Sequence, residues 1–209
     1  QVLMAELLHR TRNLLAVVQA IASQTRRTSS SIAEFGSEFA SRLRALSRVQ
    51  SLLSHIDQHE VDLRKLVEAE LHAHGDGGIA SGKIKIEGPT VALPATSAQA
   101  LGLAIHELAT NAVKYGAFAQ PEGKLKVSWN LEADEAERWV VFEWAESGVK
   151  MPESEPPKRK GYGSELIERA LPYQLQAKTK LQFGPDGVRC EIVAPVKGIA
   201  AGQMIGEQP

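Results

Sequence analysis

A run from His106 to Ala117 places three polar side chains where they could bind a nucleotide and its metal. Glu107, Asn111 and Lys114 follow helical spacing, so they share one side of a helix whose other side is apolar. A carboxylate, an amide oxygen and an ammonium in one row suit Mg²⁺ bound to a triphosphate, because Mg²⁺ prefers oxygen ligands and lysine neutralises phosphate charge. Taken alone, the pattern also fits the solvated face of an ordinary amphipathic helix.

Two shorter motifs could complete a nucleotide site. Glu146 follows a predicted strand, where its carboxylate could accept a hydrogen bond from an exocyclic amine such as that of adenine, and Gly148 would let the backbone approach a ligand. Gly161 and Gly163 open a predicted helix that begins at Ser164, and free N–H groups at a helix start commonly hold phosphate. Singly, each motif also fits an acid beside a turn, or glycines that serve only as turn residues.

His9 is a candidate nucleophile on the first predicted helix. Leu7, Leu14 and Ile21 mark the apolar seam of this helix. His9 falls two residues after Leu7 and therefore off the seam, so its side chain should be exposed. An exposed neutral imidazole near pH 7 can attack phosphorus, although an isolated surface histidine usually has no such role. Four other histidines form no metal-ligand pattern and are interpreted as surface or linker residues: His55, His59, His72 and His74.

The order of these motifs favours a single site. A helix with an acid, an asparagine and a lysine comes first, and a strand that ends in an acid and a glycine follows. A segment over 146–163, rich in glycine, proline and charge, is predicted to be a mobile loop, and the glycine-flanked helix start comes after it. Generic folding needs do not produce this order.

Residues 1–57 should form the element that presents His9. Apolar residues recur at helical spacing on both sides of a polar, serine-rich link over 26–31 that can cap the second helix. The pattern predicts an antiparallel helical hairpin with an apolar stripe. That stripe must be covered either by a second copy, which would form a four-helix bundle, or by another domain.

The rest of the chain should form an α+β unit that positions the other motifs. Helices are predicted over 61–72, 96–115 and 164–171, with Thr96 or Ser97 as the cap of the long helix. Strands are predicted over 83–87, 124–131, 138–144, 179–183 and 189–193. The helices should pack on one face of a mixed sheet. The predicted domains are therefore 1–58 and 59–197, followed by a frayed tail over 198–209.

Composition sets limits on partners and location. The net charge of −1 gives no global field to attract nucleic acid, which is not expected as a partner. Cys190 is the only cysteine, so no intrachain disulfide can form; it should be buried in a strand, and a cytoplasmic, reducing location fits. No apolar run approaches the roughly 18 residues that a bilayer span needs. Because the chain opens at Gln1 inside a helical pattern, it is expected to be a piece of a longer protein.

Together, the motifs resemble those of the HWE subfamily of bacterial two-component sensor histidine kinases. His9–Asn13 is similar to the phosphoacceptor box, and His106–Gly116 is similar to the N box, in which a histidine precedes the acid. Trp144–Glu146 resembles the Trp-x-Glu box, and Gly161–Arg169 resembles the last glycine box. The resemblance covers residues 1–195.

The resemblance implies a dimerisation and histidine phosphotransfer hairpin, followed by an ATP-binding domain of the Bergerat type, an α/β sandwich. It implies that Mg²⁺ and ATP are used, that His9 becomes phosphorylated, and that the phosphoryl group then moves to an aspartate of a response regulator receiver domain. A homodimer through the hairpin and an upstream sensor domain are implied as well.

The resemblance also implies a role for each matching residue. Asn111 would hold Mg²⁺, Glu107 would assist phosphotransfer or metal positioning, and Lys114 would contact phosphate. Tyr115 would line the nucleotide site, and Glu146 would take the place of the adenine-reading acid. The glycine-rich lid would contain the remaining site residues: Gly148, Gly161, Gly163 and Ser164.

The sequence departs from the family pattern in two places. Thr11 and Arg12 stand where valine and lysine are usual, and Ser147-Gly148-Val149 stands where Gly-Gly-Pro is common, at the hinge of the lid. Two other functions stay open, an ATPase of the chaperone or topoisomerase type and a scaffold that keeps the fold without turnover. An exposed arginine-rich surface of the hairpin is expected to help dock an acidic receiver domain: Arg42, Arg44 and Arg48.

Overall fold

The computed structural model describes residues 2–54, 60–75, 82–133, 138–150 and 161–196. The elements are α1 (Val2–Thr28), α2 (Ile32–Ser54), β1 (Glu60–Asp62), α3 (Leu63–His72), β2 (Ile84–Glu87), β3 (Ala92–Pro94), α4 (Ala95–Lys114), β4 (Lys124–Ala133), β5 (Arg138–Ser147), α5 (Tyr162–Glu165), a π-helical turn (Leu166–Ala170), α6 (Leu171–Leu175), β6 (Lys178–Gly184) and β7 (Gly187–Pro195). The predicted tail over 198–209, most of the predicted mobile loop, His55 and His59 lie outside the described residues.

The first two helices form the predicted hairpin. Ser31 lies just before α2 and its hydroxyl accepts a hydrogen bond from the backbone N–H of Glu34 at 3.1 Å. The carboxylate of Glu34 accepts in return from the backbone N–H of Ser30 at 2.6 Å. These reciprocal bonds satisfy N–H groups that a helix start leaves unpaired, so the serine-rich link caps α2 as predicted.

A five-stranded mixed sheet forms the centre of the second region. Its order is β2-β4-β5-β7-β6, in which β2 and β4 are parallel and the other neighbours are antiparallel. Buried and exposed positions alternate along β4 and β5, because successive strand residues point to opposite faces. Helices α3 and α4 contribute their apolar faces to the same core as the buried face of the sheet. This mixed α+β architecture confirms the predicted fold class.

The hairpin packs against the sheet-containing region of the same chain. On α2, the buried apolar residues follow helical spacing and belong to the common core: Ala45, Leu46, Val49 and Leu53. The two helices come close at Gly102 of α4, where an added Cβ would lie 2.6 Å from Cγ2 of Val49. The apolar stripe of α2 is thus covered by another part of its own chain, which is one of the two predicted alternatives.

Several element boundaries differ from the sequence predictions, and the helices show the largest changes. Residues 61–62 belong to β1, where Val61 pairs with Leu93, and α3 begins only after Asp62, whose side chain accepts from the N–H of Lys65. Helix α4 begins at Ala95 directly after Pro94, so the predicted caps lie inside its first turn. The last helical segment spans 162–175 and contains the π-helical turn, so it is longer than predicted.

None of the helices in the described part of the chain is long and apolar enough to cross a membrane. Cys190 is buried in β7, as predicted, and burial raises the pKa of its thiol to about 12.

Candidate functional site

Glu107 lies on α4 and faces the hairpin. It is 6% exposed, and its carboxylate accepts two hydrogen bonds from the guanidinium of Arg42, from Nε to Oε1 at 2.8 Å and from Nη2 to Oε2 at 3.2 Å. A bidentate pair of this kind is geometrically specific, and removing one partner of a buried pair is costly. In this arrangement the predicted catalytic acid is therefore neutralised by a residue of α2.

Arg42 also contacts three further side chains at this point. Its Nη1 donates to Oγ1 of Thr25 on α1 at 3.1 Å, and its Nη2 lies 3.0 Å from Oε2 of Glu38. Its guanidinium carbon lies 3.8 Å from the ring centre of Tyr162, whose pKa is raised by burial. Because Arg42 is only 4% exposed, the prediction that it belongs to an exposed docking surface is wrong.

Asn111 and Lys114, the other two polar residues predicted to share a helix face with Glu107, are exposed farther along α4. Nζ of Lys114 lies 2.6 Å from Oε1 of Glu38, so this ammonium is also engaged by the hairpin. Asn111 lies beside Gly163, where an added Cβ would be 3.6 Å from Nδ2 of Asn111 and 3.2 Å from Cβ of Glu107. The structure thus brings Glu107, Asn111 and Gly163 together.

The glycine-rich helix start is anchored to the hairpin. Gly161 directly precedes α5, and Gly163 and Ser164 lie within it. Glu165, the last residue of α5, accepts a hydrogen bond from Nε2 of Gln24 on α1 at 2.7 Å. Helices α5 and α4 therefore face the same end of the hairpin.

Glu146 lies at the end of β5 and is 6% exposed. Its Oε1 accepts from the indole Nε1 of Trp144 at 3.0 Å, and its Oε2 accepts from the backbone N–H of Ala117 at 2.7 Å. Burial raises the pKa of this carboxyl group, while the two hydrogen bonds act in the opposite direction. Next to it, Gly116 has no room for a side chain, since an added Cβ would lie 2.0 Å from Oε2.

Gly148 and Tyr115 are two further residues of the predicted site. Gly148 adopts a φ of 68°, its N–H donates to Oδ1 of Asp186 at 3.1 Å, and an added Cβ would meet the carbonyl oxygen of Glu122 at 2.3 Å. These contacts place Gly148 in a packed turn next to two other loops. Tyr115 follows α4 and is 71% exposed.

A buried polar cluster that the sequence analysis missed joins α2, α3 and α4. His106 is 3% exposed, and its Nε2 lies 3.0 Å from Oγ of Ser41. Its Nδ1 lies 3.2 Å from Nη2 of Arg48, which also forms two hydrogen bonds to Glu70, with Nε to Oε1 at 3.1 Å. The prediction that Arg48 is exposed is wrong for its guanidinium group, which lies in the cluster. Arg44 is exposed as predicted.

His74 belongs to the same cluster. Its ring centre lies 5.0 Å from that of His106, its Nδ1 lies 2.9 Å from the carbonyl oxygen of Glu70, and its Nε2 lies 3.1 Å from Oγ1 of Thr110. Burial is the main reason why the pKa of His74 is lowered. His74 does follow α3 in a turn, as expected of a linker residue, but its ring is half-buried in the cluster, so the interpretation as a surface residue is wrong.

Helical periodicity carried a signal for these missed residues. Arg42 stands at the same helical face as Ala45, Leu46 and Val49, and Glu70 stands among the buried leucines of α3. A charged residue at an apolar-face position is buried only when it is paired, so each predicts a partner on a neighbouring element.

Among the described residues, no group of three or more His, Cys, Asp and Glu side chains is arranged to hold a metal ion. The predicted magnesium ligand Asn111 offers one amide oxygen. That donor set fits Mg²⁺, which commonly takes one or two protein ligands and completes its shell with phosphates and water.

His9 lies within α1, and its side chain is outside the described part of the structure. Thr25, which contacts Arg42, is sixteen positions farther along the same helix. At 1.5 Å per residue, the two positions are about 24 Å apart along the helix axis. Glu107 therefore docks far along α1 from the candidate phosphoacceptor.

Residues 6–90 match the family model described as HWE histidine kinase. A protein of Brucella anthropi named blue-light-activated histidine kinase is 34% identical over 191 residues, which are 91% of this chain and 38% of that protein. A protein of the same name from Brucella ovis is 32% identical with the same coverage. The chain thus spans 38% of the length of these curated relatives.

Two solved structures from Erythrobacter litoralis share the fold. A blue-light activated histidine kinase aligns with a TM-score of 0.56 and 22% identity, over 88% of this chain and 63% of that one. A structure of its histidine kinase domain aligns with a TM-score of 0.53 and 19% identity, over 88% of this chain and 84% of that one. Both likenesses concern the arrangement of a helical N-terminal part before a sheet-containing domain.

Proposed function

This chain belongs to the HWE histidine kinase family, and on that premise we propose that it binds Mg·ATP and transfers the γ-phosphoryl group to His9. The observation that supports the proposal most strongly is the meeting of Glu107, Asn111 and Gly163. These residues come from separate motifs, and their approach gives an acid, an amide and a glycine-rich helix start a common location.

Each residue of the site has a role in this proposal. The side-chain oxygen of Asn111 would bind Mg²⁺, which neutralises phosphate charge when bound, and Lys114 would contact the phosphates. The backbone N–H groups near Gly161 and Gly163 would hold phosphate oxygens. Ser164 would line the same region, and Tyr115 would flank the nucleotide.

In the reaction, a ring nitrogen of neutral His9 attacks the γ-phosphorus. The new N–P bond forms as the bond from that phosphorus to the β–γ bridging oxygen breaks, so ADP leaves. The phosphorylated ring then loses the proton on its other nitrogen. The carboxylate of Glu107 is the candidate acceptor for this proton.

The proposed reaction requires α4 and the sheet-containing region to move away from the hairpin, which they contact through Glu107 and Lys114. This contact with the hairpin is called the docked position. Glu107 is paired with Arg42, and this pair lies about 24 Å along α1 from His9. Arg42 must release Glu107, and Glu38 must release Lys114, before these side chains can serve ATP. A movement of this kind is common where catalytic groups lie on separate elements.

The later steps and the surroundings are part of the same proposal. Phospho-His9 would pass its phosphoryl group to an aspartate of a response regulator receiver domain. Dimerisation through the hairpin, an upstream sensor domain and a cytoplasmic location complete the proposed setting. An ATPase of the chaperone or topoisomerase type would instead release free phosphate, and a scaffold would show no turnover.

Labelling with γ-labelled ATP tests the phosphoacceptor. His9→Ala should abolish acid-labile labelling and leave nucleotide affinity nearly unchanged, because His9 lies away from the nucleotide pocket. Asn111→Ala should reduce labelling through weaker Mg·ATP use, and His72→Ala, at an exposed histidine of α3, serves as the control. Undiminished labelling of His9→Ala would rule out the assignment.

A further inference from the structure

The residues Trp144 and Glu146 are coupled through the geometry of a single strand. Their spacing of two places both side chains on the same face of β5, and the structure buries both. Trp144 has no exposed surface, and its indole N–H donates to Oε1 of Glu146 at 3.0 Å. The Trp-x-Glu spacing therefore has a direct structural meaning.

The carboxylate of Glu146 is held from two sides. Trp144 binds Oε1 from the strand, and the backbone N–H of Ala117 binds Oε2 at 2.7 Å from the loop after α4. Rotation of the carboxylate would break at least one of these bonds. Gly116 lets the loop approach this closely, because any side chain there would collide with Oε2.

The backbone around Glu146 is equally constrained. Gly187, at the start of β7, has a φ of 150°, and an added Cβ would lie 2.3 Å from the carbonyl oxygen of Glu146. After the strand, Val149 donates its N–H to the carbonyl oxygen of Asp186 at 3.0 Å. The end of β5 is thus packed against the β6–β7 turn, so the position of the carboxylate does not depend on a free loop.

Glu146 keeps capacity for a further donor. An ionised carboxylate can accept about four hydrogen bonds, and within the described residues Glu146 receives two. The group is buried, so its charge is disfavoured, and burial accordingly raises its pKa. One more N–H donor from a ligand would offset this penalty.

We infer that Trp144 is a positioning residue that fixes the Glu146 carboxylate to receive the 6-amino group of adenine. The inference rests on the proposed function and deepens it, since it names Trp144 as the residue that orients the adenine-reading carboxylate of Glu146. Guanine presents an oxygen at the corresponding position, and an oxygen that faces a fixed carboxylate is repelled. A carboxylate that could turn away would lose part of this discrimination.

Equilibrium titrations with three nucleotides test the inference. ATP, GTP and purine riboside triphosphate share the triphosphate, and the last of them differs from ATP only in lacking the 6-amino group. The wild-type chain should bind ATP at least about 10-fold more tightly than purine riboside triphosphate, as expected for a hydrogen bond to a charged group. GTP should bind more weakly than ATP by a similar or larger factor.

Trp144→Phe has a matched control in Trp129→Phe. Both tryptophans are at most 4% exposed, and both donate an indole hydrogen bond, that of Trp129 going to the carbonyl oxygen of Pro89 at 2.7 Å. Trp144→Phe should reduce the preference for ATP toward that of Glu146→Gln, and should raise the KM for ATP more than it lowers kcat. Trp129→Phe should keep the wild-type preference.

A second replacement guards against loss of folding in Trp144→Phe. Incorporation of β-(3-benzothienyl)alanine at position 144 keeps a fused ring system of nearly the same shape and replaces the N–H donor with sulfur. The same loss of ATP preference is expected. If both variants at position 144 kept the wild-type preference, the positioning role would be overturned.

Two other results separate this inference from the proposed function. A wild-type chain that binds all three nucleotides equally would overturn the inference and leave phosphoryl transfer to His9 intact. A wild-type chain that binds none of them would overturn the proposed function and the inference together.

Discussion

The guanidinium of Arg42 and the carboxylate of Glu107 form a buried bidentate pair that joins α2 of the hairpin to α4. Arg42 is 4% exposed and Glu107 is 6% exposed, so the pair is largely removed from solvent. Glu38 extends the contact to Lys114. Under the proposed function, the hairpin would therefore compete with a nucleotide for the same two side chains of α4.

The first prediction concerns the energy of this pair. Arg42→Met keeps the length of the side chain but leaves Glu107 buried without a partner, so it should lower the free energy of unfolding by about 3–5 kcal/mol. Adding Glu107→Gln should recover part of this loss. Urea denaturation of the single and double variants measures the coupling between the two residues.

Arg44→Met provides the control for the energy of the pair. Arg44 is exposed on the same helix, and its replacement should change the free energy of unfolding by less than about 0.5 kcal/mol. A coupling near zero between Arg42 and Glu107 would mean that the pair does not hold the hairpin against α4.

The second prediction concerns release of the docked position. Glu38→Gln weakens one contact to Arg42 and one to Lys114, at a partly exposed residue. Contacts of this exposure are worth about 1 kcal/mol or less, so the initial rate of autophosphorylation should rise by a few-fold. Initial rates with saturating Mg·ATP measure the effect.

Glu143→Gln, at an exposed site on β5, should leave the rate of autophosphorylation unchanged. A lower rate in Glu38→Gln, with unchanged stability, would show that Glu38 assists the reaction and does not restrain it.

The sequence predicts those elements whose residues form a periodic pattern within one continuous segment. The helical hairpin and the five strands of the main sheet carry strong periodic patterns, and the structure contains all of them. The three-residue strands β1 and β3 were missed, because such short pairs carry no period of their own and form only through contact with each other.

Contacts between distant elements were the harder part. The sequence placed Glu107 and Asn111 on one helix, and periodicity puts Arg42 on the apolar face of α2, but it does not identify Glu107 as the partner of Arg42. For the same reason His74 was interpreted as a linker residue, although Thr110 and Glu70 hold its ring. Pairing between separate helices is decided by tertiary packing, which a single sequence does not encode in a readable pattern.

The third prediction compares two glycines. Gly116→Ala would place a Cβ 2.0 Å from Oε2 of Glu146 and 2.9 Å from Cα of Ala112, so it should lower the free energy of unfolding by about 1–3 kcal/mol. It should also weaken the affinity for ATP, because the Glu146 carboxylate has to move. Denaturation and nucleotide titration measure the two effects.

Gly36→Ala is the matched change for Gly116→Ala. Gly36 lies inside α2, and an added Cβ would meet no atom within 4 Å apart from the local helix backbone and its chain neighbours, so alanine should raise the free energy of unfolding by about 0.5–1 kcal/mol. A Gly116→Ala variant that is as stable as Gly36→Ala and binds ATP normally would contradict the close packing at Glu146.

The fourth prediction concerns pH. The pKa of His74 is lowered in the folded chain, mainly by burial and also by the neighbouring charges of His106 and Arg48, while Glu70 acts in the opposite direction. As the pH falls below the ordinary histidine pKa of about 6.5, the unfolded chain takes up a proton that the folded chain resists. The contribution of His74 to stability is therefore present at neutral pH and is lost on acidification toward the lowered pKa.

Denaturation midpoints at pH 7.5 and pH 5.5 measure this dependence. His74→Gln should reduce the loss of stability on acidification, whereas His72→Gln, at the exposed histidine that ends α3, should retain the wild-type loss. An unchanged pH dependence in His74→Gln would show that other groups set the acid sensitivity.

Phosphoryl transfer to His9 is tested most directly by mapping phosphate after incubation with Mg·ATP. Cleavage after Arg10 releases the peptide Gln1–Arg10, in which His9 is the only histidine and which contains no serine, threonine or tyrosine. We expect mass spectrometry at neutral pH to find one phosphoryl group on this peptide and to lose it after acid treatment. An unmodified peptide, alongside phosphate released to solution or bound at another residue, would contradict the assignment of His9 as phosphoacceptor.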